Sequence, residues 1–178
     1  TVSVRFSPTV EGDRAASITV QGAPGGVAVG SMSGVGLDDA FLSSDTSLQG
    51  FGTVVVGQAS PEVAIEITNT GGVASGVLSQ AVSGLHASDF ELVAGSNCSA
   101  ALEPGERCTV LLRFVPASAG AKSATLTVTG GPGGATTTTL LGTGSVPGDL
   151  AITPSLFDFT DTVVGQASVA TTLTITNT

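Results

Sequence analysis

The residues able to do chemistry are few and widely spaced. The single histidine, His86, lies in the run Gly84-Leu85-His86-Ala87-Ser88-Asp89. A hydrolytic triad needs a nucleophile, a histidine and an acid that converge in space. Ser88 and Asp89 are too near His86 in sequence to form one without other partners, and no G-x-S-x-G nucleophile elbow occurs. His86 therefore reads as a solvated loop side chain. Glu62 and Glu66 fall on one face of an expected strand and Glu103 and Glu106 flank a turn. None sits in a motif that would tune a carboxyl for proton transfer. Asp38, Asp39 and Asp45 cluster where oxygen ligands could hold calcium. Lys122 has the chemistry for an amide crosslink to Asn or Asp, but a turn-flanking surface cation is the plainer reading. Asn97-Cys98-Ser99 fits the glycosylation sequon, a short pattern that carries little weight alone.

Cys98 and Cys108 are the two cysteines, and they bracket a loop that contains Pro104-Gly105. A disulfide between them would restrict the unfolded chain by about 2–3 kcal/mol and would imply an oxidising compartment. The alternative is two free buried thiols. A metal site would need two further nitrogen or sulfur ligands, and His86 is distant in sequence. No metal, cofactor or catalytic residue is expected.

The bulk composition agrees. The chain of 178 residues carries a net charge of −9, with 11% charged residues, 25 glycines and neither Trp nor Tyr. With five Lys and Arg in all, it has no basic patch to neutralise phosphates, so nucleic acid is not an expected partner. Anionic membranes should repel it. No apolar run approaches the ~20 residues of a membrane span, so no direct insertion is expected.

The elements that must position these side chains repeat. Residues 1–26 match 109–134, and 47–70 match 155–178, both at an offset of 108 residues. The whole of 1–70 lies on 109–178 without a gap, and about 29 of the 70 pairs are identical. A period near 108 is the size of one immunoglobulin-like sandwich and too long for a helical solenoid unit. The chain reads as the C-terminal part of one repeat (1–36), a linker (37–46), a complete repeat (47–144, its first residues near 42), a linker (145–149) and the N-terminal part of the next repeat (150–178). The partial ends cannot bury their apolar faces alone. Either the chain is a stretch of a longer polypeptide, the favoured expectation, or ends of neighbouring molecules pair by strand addition. The calcium cluster is not repeated: its counterparts are Val146, Pro147 and Thr153.

Alternating apolar residues mark the strands. Val110, Leu112 and Phe114 share one face, as Val2, Val4 and Phe6 do in the earlier copy. Leu126 and Val128 alternate with Thr, and Ile65 and Ile67 with Glu66 and Thr68. With Phe51 and its counterpart Phe159, these residues form the expected core. Seven strands are expected in the complete repeat, near 47–56, 61–69, 76–82, 89–94, 107–115, 122–129 and 135–142. Turns fall at Asn69-Thr70-Gly71-Gly72, at Glu103-Pro104-Gly105-Glu106 and at the glycines of 130–134. Asn69 and Asn177 close the same strand in two copies and read as turn-forming side chains.

The order FGTVVVG, a strand ending NTGG, DFEL, a C-x9-C pair with LEPGERC, RFVP, AGAKSATLTV and LLGTG resembles the ASPM/SPD-2/Hydin (ASH-like) immunoglobulin domain. The bacterial form looks like repeats of choice-of-anchor D surface proteins. The resemblance implies an all-β fold: tandem seven-stranded immunoglobulin-like (PapD- and major-sperm-protein-like) β-sandwiches, one complete and two partial. It implies no enzyme and supplies no binding residues. The Ala/Gly/Val-rich, Lys-poor composition favours a bacterial source over a ciliary one. The expected role is structural: a stalk, fibre or adhesin segment at the cell surface or outside the cell. Its partners would be neighbouring repeats and, in a fibre, other copies. The alternatives are a ligand- or partner-binding module and an accessory domain of a surface hydrolase. The shortage of aromatics argues against a sugar-stacking platform.

Overall fold

The computed structural model describes residues 1–131 and 133–177. Strands β1 (Gly12–Gly22) and β2 (Gly26–Gly36) form an antiparallel hairpin. The complete sandwich follows. It is built from β3 (Leu42–Ser44), β4 (Leu48–Val55), β5 (Val63–Asn69), β6 (Leu78–Ser83), β7 (Phe90–Leu92), β8 (Arg107–Phe114), β9 (Gly120–Gly130) and β10 (Ala135–Ser145). A single 3-10 turn at Ala87–Asp89 precedes β7. Two short strands, β11 (Leu150–Thr153) and β12 (Thr174–Asn177), pair antiparallel near the C-terminus.

One sheet has the order β3-β5-β8-β7 and the other β4-β10-β9-β6. All pairs are antiparallel except β4 with β10. That parallel pair arises because the first strand changes sheets: β3 lies beside β5, and after residues 45–47 the chain crosses to lie beside β10. The crossing is held from inside. The buried Thr138 donates its hydroxyl to Thr46 O at 2.8 Å and shares a 3.0 Å hydrogen bond with Ser44 Oγ. Seven expected strands thus become eight segments, the first being split. β3 lies within the stretch 37–46 expected to be linker, and the correction has a plain cause: Leu42 belongs to the core and Ser44 pairs with Ile67.

The core sits between the two inner faces. In β8, Cys108, Val110, Leu112 and Phe114 are buried while Thr109, Leu111 and Arg113 are half-exposed. Lys122, Ala124, Leu126 and Val128 do the same in β9, as do Ile65 and Ile67 in β5. This is the two-residue period of a strand with one covered face. Phe90 and Phe114 pack with ring centroids 4.9 Å apart, and Phe51, half-buried, lies 5.6 Å from Phe90 and 6.1 Å from Phe114. Gly142 lets this cluster form. A Cβ there would come within 2.6 Å of the Phe114 ring, and the β4–β10 register shifts at the same place.

The flanking pieces repeat this geometry 108 residues away. Gly12 pairs with Gly36 as Gly120 pairs with Gly144, and the whole β1–β2 register equals that of β9–β10. Leu150↔Asn177 and Ile152↔Ile175 repeat Leu42↔Asn69 and Ser44↔Ile67. Gly34 faces the Phe6 ring as Gly142 faces Phe114.

Residues expected in the core of the two partial repeats are not buried, Val2, Val4, Phe6 and Phe159 among them. Phe6 is 50% and Phe159 61% exposed. Their counterparts Phe114 and Phe51 are covered by β5, β7 and each other, whereas no counterpart of those strands lies beside Phe6 or Phe159 here. For the same reason residues 1–8, expected as a strand, take no regular strand structure: their sequence alternates correctly but has no β5-like neighbour.

The contrast is testable. Phe114→Ala should lower the unfolding free energy by about 3–5 kcal/mol, whereas Phe6→Ala should change it by about 0.5 kcal/mol or less. Denaturant titration of the dilute protein measures both.

Candidate functional site

The place where the chain enters the sandwich is the most fully built polar site among the described residues. Asn69 ends β5 with its side chain fully buried and with partners for both of its ends. Oδ1 accepts from Phe41 N at 3.1 Å and Gly71 N at 3.0 Å. Nδ2 donates to Val73 O at 2.8 Å and Leu102 O at 2.9 Å. Thr70 N donates to Phe41 O at 2.8 Å. Asn69 O accepts from Gly105 N, also at 2.8 Å, beside the Glu103–Glu106 turn. That turn has Pro104 at its second position and Gly105, φ 81°, at its third, the pattern of a type II turn. A side chain read as local turn chemistry therefore joins four segments: the entering chain at Phe41, the β5 end, the following loop at Val73, and Leu102. The signal in the sequence was its recurrence at Asn177, whose amide lies against Gly148 as Asn69 lies against the entering chain.

A second polar site escaped the sequence reading. Lys122, expected to be a surface cation, is 8% exposed, because its position on β9 faces inward with Ala124 and Leu126. Its Nζ donates to Ser118 Oγ at 2.6 Å and lies 3.7 Å from Asp89 Oδ2. Asp89 is also buried, and its Oδ1 accepts from Ala117 N at 3.2 Å. The pair ties the 3-10 turn before β7 to the loop before β9. The alternation that placed Leu126 and Val128 inward, carried back by the same parity to position 122, would have found the lysine.

Of the other candidate groups, His86, Asp45, Glu66 and Glu106 are engaged in structure. His86 Nδ1 accepts from Ser123 N at 3.1 Å, which turns it from Ser88 and Asp89 toward β9. Glu66 pairs with Arg107 at 2.9 Å and Glu91 with Arg113 at 2.7 Å. Both pairs are exposed across-strand pairs of small energetic value. Glu106 Oε2 accepts from Glu103 N, and Asp45 Oδ1 from Glu66 N. No group of three or more His, Cys, Asp or Glu suited to a metal occurs among the described residues. Cys98 and Cys108 form a disulfide with Cα atoms 5.1 Å apart, buried in the same core cluster as Leu102 and Ile67. The described helices include none long and apolar enough to cross a membrane.

No family model and no curated protein matches the chain. Solved structures similar to it include the ASH/PapD-like domain 7 of human CEP192 (20% identity, 61% of this chain and 88% of that chain, TM-score 0.44). The secreted serine protease VesC from Vibrio cholerae is similar over 62% of this chain and 24% of its own (20% identity, TM-score 0.45). A Porphyromonas gingivalis protein of unknown function is similar over 78% of this chain and 68% of its own (12% identity, TM-score 0.47). These likenesses concern the fold alone.

Removing the Asn69 amide would strand two donors, Phe41 N and Gly71 N, and the acceptor Val73 O, while Leu102 O keeps its bond from Ser75 N. Asn69→Ala should cost about 3 kcal/mol, read as a lower denaturation midpoint. For the charge pair, Asp89→Ala should cost about 3–5 kcal/mol by leaving a buried cation unpaired, whereas the double replacement Asp89→Leu with Lys122→Met should restore most of that loss. Equal losses in the single and double variants would show that the pair is not coupled.

Proposed function

We propose that this chain is a structural segment of a long bacterial cell-surface or extracellular protein, in which sandwiches of this type follow one another as a stalk, fibre or adhesin building block. The observation that carries this reading is the repetition of strand register at an interval of 108 residues on both sides of a complete sandwich. Each repeat enters its sandwich through the same short connection: five residues separate β2 from β3, and four separate β10 from β11. Short connections and nearest-neighbour contacts favour an extended array. The buried disulfide supports an oxidising location. The surface of Thr, Ser, Gly and scattered acid, at a net charge of −9, supports a spacer without affinity for nucleic acid or anionic membranes. Neighbouring repeats are its natural partners. A catalytic role is not part of this reading: His86, Asp45, Glu66, Asp89, Glu91 and Glu106 are held in hydrogen bonds and ion pairs of the fold.

Proteins carrying one, two and three consecutive 108-residue repeats test the reading by small-angle scattering. The maximum dimension should grow by a constant step per repeat and leave the compact scaling of globular domains. Growth along that compact scaling would overturn the extended array. Protease shaving of producing cells tests the location: release of repeat fragments from intact cells is expected, and full protection would overturn it.

A further inference from the structure

The chain passes through the complete sandwich from one end to the other. It enters where β10 begins: Leu42 N donates to Gly133 O at 3.3 Å, and Phe41 is held by the Asn69 amide. It leaves after Ser145, where β10 ends. β10 has 11 residues, so entry and exit lie about 33 Å apart along the strand axis. β4 runs beside β10 in the same direction, Leu48 opposite Thr139 and Val55 opposite Ser145. This is the one parallel pair of the sandwich, and it joins the first long strand to the last. The two strands therefore receive any pull on the chain from opposite ends.

We propose that the β4–β10 pair is a mechanical clamp, through which each sandwich bears tension along the chain without opening; the proposal rests on the reading of the chain as a segment of an extended array. Tension draws β4 toward the entry and β10 toward the exit, so the strands must slide past each other along their length. Sliding loads all their hydrogen bonds together, whereas separating two strands from one end breaks the bonds singly. The bonds resist in two blocks of three residue pairs, on either side of the register shift between Leu141 and Thr143. They include Thr139 N to Ser47 O at 2.9 Å and Val56 N to Ser145 O at 2.8 Å. β3 is drawn along β5 in the same way, held by three residue pairs and by the Asn69 amide. Between the two loaded strands, the buried Thr138 hydroxyl holds Thr46 O and Ser44 Oγ. Both sheets are thus loaded by sliding. β6 and β7 lie at the far edges of their sheets and take none of the pull directly.

Single-molecule pulling of the full chain in two directions tests the clamp. The native cysteines are joined to each other, so introduced cysteines are the only free thiols for attachment. Leu37→Cys with Val146→Cys, both exposed, pulls along the array. Gln58→Cys with Val146→Cys pulls at the exit end alone, where β4 and β10 come apart pair by pair. The event to compare is the one that lengthens by about 30 Å when the disulfide is reduced, because the crosslink withholds ten residues from extension. At equal loading rates the axial force should exceed the exit-end force by about twofold or more. Equal forces in the two directions would overturn the proposal. Resistance to force follows the unfolding barrier and not equilibrium stability, which gives a second readout. Val56→Pro removes the donor to Ser145 O and should lower the axial force to about half. Leu78→Ala truncates a core side chain in β6 and should lower the denaturation midpoint while leaving the axial force nearly unchanged. An axial force that falls further in Leu78→Ala than in Val56→Pro would also overturn the clamp. Scattering of consecutive repeats tests the array and pulling on one sandwich tests the clamp, so either can fail alone.

Discussion

The two sheets hold together here chiefly through the faces they turn to each other, and the contact of the Phe114 ring with the backbone at Gly142 sets how closely they meet. Phe114 is the last residue of β8 and Gly142 lies on β10, in the opposite sheet. With no Cβ at 142 the ring lies flat against β10, and Phe51 and Phe90 close over it. A side chain at 142 would push the sheets apart at the end where β8 leaves the core, which is also where Ser60 Oγ accepts from Phe114 N at 2.9 Å. Packing and hydrogen bonding at this point share one geometry. The same Phe–Gly contact between Phe6 and Gly34 shows that it belongs to the repeat and not to one copy.

The polar interior is placed by the same logic. Buried polar groups are stable chiefly when paired, and in this sandwich Asn69, Thr138, Lys122 and Asp89 join segments that the ladders do not. Asn69 joins the entering chain to the β5 end and to the loop before β8. Thr138 holds the sheet crossing. Lys122 and Asp89 connect the turn before β7 to the loop before β9. The disulfide fastens the Cys98 loop to β8. The ladders alone would leave the loop of residues 84–106 loosely attached, because β7 has only three residues.

Much of this was legible in the residues. Alternation in 62–68, 109–115 and 123–129 placed Ile65, Ile67, Val110, Leu112, Phe114, Leu126 and Val128 inside, because a strand with one covered face leaves no other register. Two cysteines astride a turn marked the Cys98–Cys108 loop. What was not legible depended on tertiary neighbours. Phe6 and Phe159 carry the right pattern, but burial is a property of both faces of a core, and their covering strands are absent beside them. Lys122 looked like a surface cation because its partner, Asp89, is far off in sequence and only the fold brings them together. Asn69 looked local because three of its four partners belong to other segments. β3 was hidden in a stretch whose Asp and Ser content reads as linker, although Leu42 alone commits it to the core.

The edges of the sandwich bear on how such units can associate. A free strand edge is an invitation to pair with another chain unless it is short, charged or covered. β7 is guarded in two ways: it has three residues, and Glu91 pairs with Arg113 across to β8. β3 is short as well, and the seated chain at Phe41 closes one end of it. β6 is different. Its six residues, Leu78 to Ser83, include no charge. β4 carries none either along its eight residues, but its glycines at 50 and 52 break the regular pleat, and the β10 register shift bends it away. The sandwich therefore blocks lateral pairing on the sheet that holds the disulfide and leaves it least opposed along β6.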